Sequence, residues 1–176
     1  MKFQSFCTIL IFCSSFFLQS QSIDFSNLAN LKIRNVGPAN MSGRITAIDV
    51  VRTNTKVMYV GAASGGVWKS ENGGSAWTPV FDDQATQNIG ALAIQQNDPN
   101  VIWVGTGEGN PRNSMNLGMG IFKSMDAGKT WKHMGLEATK TIHRIIIDPK
   151  DPNIIYVGAM GDPFSPNEHR GLYKTV

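Results

Sequence analysis

Ser124-Met125-Asp126-Ala127-Gly128-Lys129-Thr130-Trp131 follows the short apolar run Gly120-Ile121-Phe122-Lys123 and has the form S-x-D-x-G-x-T-W. Gly66-Val67-Trp68-Lys69-Ser70-Glu71-Asn72-Gly73-Gly74-Ser75-Ala76-Trp77 repeats the frame, with Asn72 in place of Asp126. Ser70 to Ser124 and Trp77 to Trp131 are both separated by 54 residues. A third copy opens at Gly171-Leu172-Tyr173-Lys174-Thr175 and stops at Val176, ahead of its turn. The chain reads as a repeat protein whose last copy is incomplete.

The pattern has a physical logic. The short side chain of Asp126 or Asn72 can accept backbone N–H groups of its own turn, which no ladder would satisfy. Gly128 and Gly74 supply the backbone freedom of a sharp bend. Trp131 and Trp77 then open the next strand and are expected to wedge between neighbouring sheets, burying about 150–250 Å² each. Ser70, Asn72, Gly74, Trp77, Ser124, Asp126, Gly128, Thr130 and Trp131 are therefore read as structural. A lone carboxylate lacks the six to eight oxygens that calcium prefers, so no metal is expected there.

Outward from the turns, each copy repeats the same strands. Residues 44–51, 57–61, 67–70 and 77–80 form the first set, with 89–94 and 101–105 answered by 142–147 and 154–158 further on. Gly61 to Lys69 takes 8 residues, Gly105 to Lys123 takes 18 and Gly158 to Lys174 takes 16, so the insertions lie between strands two and three. Four short strands in a period of about 40–50 residues are the signature of a β-propeller. The expected class is all-β, with four-stranded antiparallel blades at about 42–83, 84–137 and 138–176, the third incomplete. The strand-two-to-three loops open on the face that also holds the start of each innermost strand, here termed the upper face. The Ser-x-Asp turns lie on the opposite, lower face.

Of the 176 residues, Met1-Lys2 and the apolar run Phe3 to Leu18 have the plan of a secretory signal peptide, placed at 1–22, and too short to span a membrane. An exported protein follows: secreted, periplasmic or at the cell surface, with no mature transmembrane segment. Cys7 and Cys13 lie inside the leader and would leave with it. Removing Lys2 leaves 15 basic against 13 acidic residues, and no basic stripe with interleaved aromatics appears, which argues against nucleic acid despite a pI of about 9.0. Residues 23–41 form a lead-in that could close a propeller, and Asn40-Met41-Ser42 matches a glycosylation acceptor.

The turns, with Gly-Val-Trp-Lys-Ser and Gly-Ile-Phe-Lys-Ser ahead of them, resemble Asp-box or BNR repeats. The run from Asn35-Val36-Gly37-Pro38 through Ser42-Gly43-Arg44 to Gly61-Ala62-Ala63-Ser64-Gly65-Gly66-Val67-Trp68 resembles exported bacterial proteins grouped with the sortilin (VPS10-like) amino-terminal propeller, related to xyloglucanase-like and sialidase-like propellers. The resemblance implies an amino-terminal fragment of a binding module for a peptide, protein or polysaccharide, needing no cofactor. Its alternative is a glycoside hydrolase with most catalytic groups in further blades. In xyloglucan-active hydrolases one catalytic Asp lies on the first inner strand; Gly43-Arg44-Ile45-Thr46-Ala47-Ile48 puts Thr46 there, and a hydroxyl cannot replace that acid. A sialidase would need three arginines and a Tyr–Glu pair, for which the spacing of Arg34, Arg44, Arg112 and Arg144 selects nothing.

The candidate ligand-binding residues share the upper face: Arg44, Glu108, Asn110, Arg112, Asn113, His143 and Arg144. Glu108 and Arg112, in a Gly-rich insertion, could present a carboxylate and a guanidinium fork to a polar ligand, or simply pair as a solvated loop. Strict alternation would turn one of His143 and Arg144 into the sheet packing. His169, beside Asp162 and Glu168, lacks the spacing of a zinc site. Met115, Met119 and Met125 read as a cluster around the insertion.

Overall fold

A computed structural model describes residues 43–110, 113 and 115–175. The leader, the lead-in, the glycosylation triplet and Arg112 lie outside the described residues. Every sheet is an antiparallel meander. Blade 1 contains β1 (Ile45–Val50), β2 (Met58–Ala62), β3 (Gly66–Ser70) and β4 (Thr78–Pro79). Blade 2 contains β5 (Ile89–Ile94), β6 (Ile102–Thr106), β7 (Ile121–Ser124) and β8 (Lys132–His133). Blade 3 holds three strands, β9 (Ile142–Ile147), β10 (Ile155–Ala159) and β11 (Gly171–Lys174). The outermost strands are shorter than the spacing suggests: β4 pairs only through Thr78 and Pro79, and Pro79 has no N–H to give a ladder.

Blade packs on blade through two apolar layers. Tyr59, Val67 and Phe81 of blade 1 meet Ile89, Leu92, Ile102, Val104 and Phe122 of blade 2. Ala91, Ala93, Trp103 and Ile121 of blade 2 meet Ile142, Ile145, Ile155 and Val157 of blade 3. Strand β5 serves both, its large residues facing blade 1 and its alanines facing blade 3: residues 91–94 alternate with a period of two, and Ile89 joins the blade 1 side across a register shift between Ile89 and Ala91. The repeated glycine of the second strand has its reason here. A Cβ on Gly61 would collide with the side chain of Ile89, and one on Gly105 with Ile142, so each glycine admits the first isoleucine of the next blade.

The two turns are locked alike. Ser70 Oγ accepts Gly74 N at 2.8 Å while Asn72 Oδ1 accepts Ala76 N at 2.8 Å; in blade 2, Ser124 Oγ accepts Gly128 N at 2.9 Å and Asp126 Oδ1 accepts Thr130 N at 2.8 Å. Each bend needs two consecutive left-handed residues, Gly73 and Gly74 in one, Ala127 and Gly128 in the other. The turns also bind across the lower face, Gly73 N to Lys56 O at 3.0 Å and Ala127 N to Asn100 O at 2.9 Å. Trp131 wedges as expected, its Nε1 donating to Val80 O at 2.6 Å and its ring standing edge-on to Phe81. Trp77 does not: it is 37 % exposed, because no described residue lies where Phe81 lies for Trp131. Met125 stands in the lower-face turn, apart from the insertion that holds Met115 and Met119.

A lysine over an aromatic ring recurs in every blade, because the two are cross-strand partners. Lys69 pairs with Tyr59, Lys123 with Trp103 and Lys174 with Tyr156, at 5.8, 5.0 and 5.8 Å from the ring centres. Tyr59 then donates its hydroxyl to Ala127 O at 3.1 Å, tying the second strand of one blade to the turn of the next.

The Asp126 carboxyl is held down to about 2, chiefly by the Thr130 hydroxyl and then by the Thr130 N–H. A depressed carboxyl adds stability above its unfolded value near 4 and loses it as pH falls through the folded value. Asp126→Asn, which copies the blade 1 turn, is expected to flatten the acid limb of a thermal-unfolding profile between about pH 4 and 2. An unchanged limb would remove this turn as its source.

Candidate functional site

The upper face is shaped by one irregularity that occurs in all three blades. Between Ile45 and Ala47 the ladder with β2 skips a residue, and the same skip occurs between Ile89 and Ala91 and at His143. Each is a β-bulge at the start of an innermost strand, which re-aims the bulged side chain and ends regular alternation. Alternation therefore fails at His143-Arg144, and both side chains are exposed. Blade 2 places Gly90 at the bulge, where a Cβ would strike the carbonyl oxygens of Gly107 and Ile142. Blade 1 places Thr46 there. Its hydroxyl lies between the carbonyls of Gly61 at 3.0 Å and Ile89 at 2.7 Å, so it is committed to joining blades 1 and 2.

Arg44, just before β1, forms an ion pair with Glu108 in the blade 2 insertion. Glu108 is 1 % exposed and the Arg44 side chain 40 %, so the acid lies beneath and the guanidinium reaches solvent. Oxygen Oε1 of Glu108 faces Arg44 and accepts no hydrogen bond among the described residues. The sequence pairs Glu108 with Arg112 by proximity in the chain. Arg112 lies outside the described residues, and among those described Glu108 pairs with an arginine 64 positions earlier, a partnership that only the blade geometry creates.

The described residues at both ends of the insertion are bonded to their surroundings. Gly107 N donates to Asn88 O at 2.7 Å, Asn88 Nδ2 to Leu117 O at 2.8 Å, Glu108 N to Asn116 O at 2.9 Å, and Asn116 Nδ2 to Ser64 Oγ of blade 1 at 2.5 Å. Towards blade 3, Gly109 lies against the His143 ring so closely that a Cβ would enter it. Lys140 joins the two insertions: its carbonyl accepts Gly118 N at 2.6 Å, and its Nζ donates to Asp162 Oδ2 at 2.9 Å. Asp162 is held below the usual carboxylate range, first by the Phe164 N–H and then by Lys140. Sequence reasoning missed Ser64, Asn116 and Lys140. Their signal was the coincidence of two insertions at one site, without any residue pattern to name the partners.

Arg44, Glu108 and His143 thus meet around one loop, with Asn110 and Asn113 exposed on it. Arg144 lies elsewhere, lining a cleft of about 610 Å³ along the inner strands with Asp49, Arg52 and Asp148. Asp49 is occupied there, accepting Ile94 N at 2.8 Å across the blade seam. His133 contacts Met119 O at 2.8 Å and Glu137 at 3.3 Å. Among the described residues, no group of three His, Cys, Asp or Glu side chains could hold a metal, and no helix is long and apolar enough to cross a membrane.

No protein-family profile matches the chain. It is 26 % identical over 137 residues to a xyloglucanase of Acetivibrio thermocellus and 24 % identical over 139 residues to a xyloglucanase of Paenibacillus sp., covering 70 % and 72 % of this chain. The chain spans only 16 % and 13 % of the length of these relatives. Among solved structures, a GH74 enzyme of Niastella koreensis superposes with a TM-score of 0.56 at 22 % identity, over 76 % of this chain and 19 % of its own. YCF48 from Cyanidioschyzon merolae superposes at 0.51 and 15 % identity, over 78 % and 35 %. These sheets are blades of a β-propeller, related to those of the xyloglucanases.

Removing one partner of a buried pair strands the other. Arg44→Met should destabilise the protein by about 2–3 kcal/mol, below the 3–5 of a fully buried pair because Arg44 is partly solvated. Adding Glu108→Gln should recover much of that loss in a denaturant-unfolding double-mutant cycle. Additive losses would show that the two side chains are not coupled.

Proposed function

We propose that the chain supplies part of a polysaccharide-recognition surface on the upper face of an exported β-propeller. One observation carries the reading: a solvent-reaching guanidinium whose charge is cancelled by a buried carboxylate directly beneath it. Such a pair offers directed N–H donors without net charge, which suits a ligand built of hydroxyls better than an anionic polymer. Exposed amides at Asn110, Asn113 and Asn116 add donors and acceptors on the same loop. The similarity to xyloglucanases supports a glycan over a peptide or protein. A sortilin-like capture of peptide would favour an apolar channel, whereas the cleft along the inner strands carries Asp49, Arg52, Arg144 and Asp148. The leader-like residues 1–22 fit export.

The same similarity favours a second reading, a glycoside hydrolase. Glu108 is buried and paired, and Thr46 is spent on backbone carbonyls, so neither can be its acid. The pair of carboxylates would have to come from elsewhere in the protein. Incubating the full-length protein with xyloglucan and other neutral polysaccharides separates the readings. Binding without reducing-end release, weakened about tenfold by Arg44→Ala, is the expected result. Sugar release would establish the hydrolase, and failure to bind any neutral polysaccharide would overturn both.

A further inference from the structure

Strands β1, β5 and β9 are all complete, and their ladders align them residue for residue. Thr46 corresponds to Gly90 and His143, Asp49 to Ala93 and Ile146, and Arg52 to Gln96 and Pro149. At the outer half of a seam the fastening comes from the turn after the third strand, through Tyr59 and Trp131. At the inner half the inner strands must supply it themselves.

Blades 1 and 2 are clamped at both ends of that inner half. Above, Thr46 Oγ1 donates to Ile89 O at 2.7 Å. Below, Asp49 Oδ2 accepts Ile94 N at 2.8 Å, and the Gln96 amide is committed to blade 1, its Oε1 accepting Arg52 N at 3.0 Å and its Nε2 donating to Val50 O at 3.1 Å. None of these bonds can recur between blades 2 and 3. Gly90 has no side chain, Ala93 offers no acceptor, and Pro149 has no amide to share.

The second seam is therefore held unevenly. At its upper end Gly118 N donates to Lys140 O at 2.6 Å, and the backbone at Gly90 approaches Ile142 so closely that a Cβ would strike its carbonyl oxygen. In the middle, Ala91, Trp103 and Ile121 pack on Ile142, Ile145 and Ile155, a contact without directional bonds. At the lower end no side-chain hydrogen bond joins the two inner strands among the described residues. Residues 92–97 and 144–149, the stretches that lack the clamps, instead wall the cleft of about 610 Å³.

We propose that the seam between blades 2 and 3 is a hinge, pinned at the upper face and free to open at the lower end. An interface with directional bonds at one end only rotates about that end. Blades 1 and 2 move as one body because Thr46, Asp49 and Gln96 tie them, so blade 3 swings against both. The cleft along the inner strands widens, while the loops that carry Glu108 and Asp162 stay joined through Lys140.

Spin-label distances in the full-length protein, with any other thiol replaced, test the hinge. Thr53, Asn97 and Lys150 hold the same place on the lower-face turns of the three blades, and all are exposed. Labels on Asn97→Cys and Lys150→Cys should give a distance distribution roughly twice as wide as labels on Thr53→Cys and Asn97→Cys. Asp49→Ala combined with Gln96→Ala should widen the second distribution to match the first. Equal widths in the two pairs, without the alanine substitutions, would overturn the hinge. A blade 1–2 distribution left narrow by the alanine substitutions would show that the clamps do not govern seam opening, and would overturn it as well.

Discussion

Each blade owns only half of its core. Ile89 and Ile142, the first residues of β5 and β9, are fully buried against the glycine of the preceding blade, while their counterpart Ile45 is 58 % exposed where no described blade precedes it. The other side of the sheet behaves alike. Val67 and Ile121 are buried under the following blade, and the equivalent Leu172 is 75 % exposed. Burial at a given repeat position is therefore set by the neighbour and not by the residue, the nearest-neighbour energetics of stacked repeats. Glycine at 61 and 105 is the geometric condition for that contact, since any side chain there would hold the blades apart.

The same close approach generates the upper face. Once blades sit this near, the entrance of each inner strand must avoid the loop and strand beside it, and the bulges at Thr46, Gly90 and His143 do so in three chemically different ways. Thr46 bonds two carbonyls, Gly90 removes its side chain, and His143 turns outward against Gly109. One backbone device thus gives a strut, a gap and a solvent-facing imidazole. Function can differ between blades without any change in their architecture.

Periodic features were legible in the sequence: the Ser-x-Asp turns, the inner strands at 89–94 and 142–147, and the positions of the insertions all depend on local spacing. What spacing could not show was anything defined between blades. The pairing of Glu108 with Arg44, 64 positions earlier, has no counterpart in the chain's local spacing. His143 and Arg144 looked mutually exclusive because a strand alternates, yet an extra residue in the ladder frees both. A bulge leaves no compositional mark when it is occupied by Thr, Gly and His in turn. Trp77 and Trp131 hold the same place in the repeat, yet Trp131 stands edge-on to Phe81 of the preceding blade while Trp77 is 37 % exposed.

The two ends of the blades answer to different demands. On the lower face the turns repeat bond for bond, Ser to Gly and Asn or Asp to the residue four positions on, and Asp98 or Asp151 caps the adjoining turn. Such uniformity closes sheets and distinguishes no ligand. On the upper face the strand-two-to-three connections differ in length, and those of blades 2 and 3 converge on Lys140, whose backbone takes one loop and whose ammonium takes the other. Lys140 itself holds a left-handed backbone conformation, uncommon for a lysine and imposed between two loops that both bind it. Strain of that kind persists only where the surroundings over-determine it, and here the surroundings are the two segments that carry Glu108 and Phe164. The contact at Lys140 thus belongs to the part of the face that the repeats do not dictate.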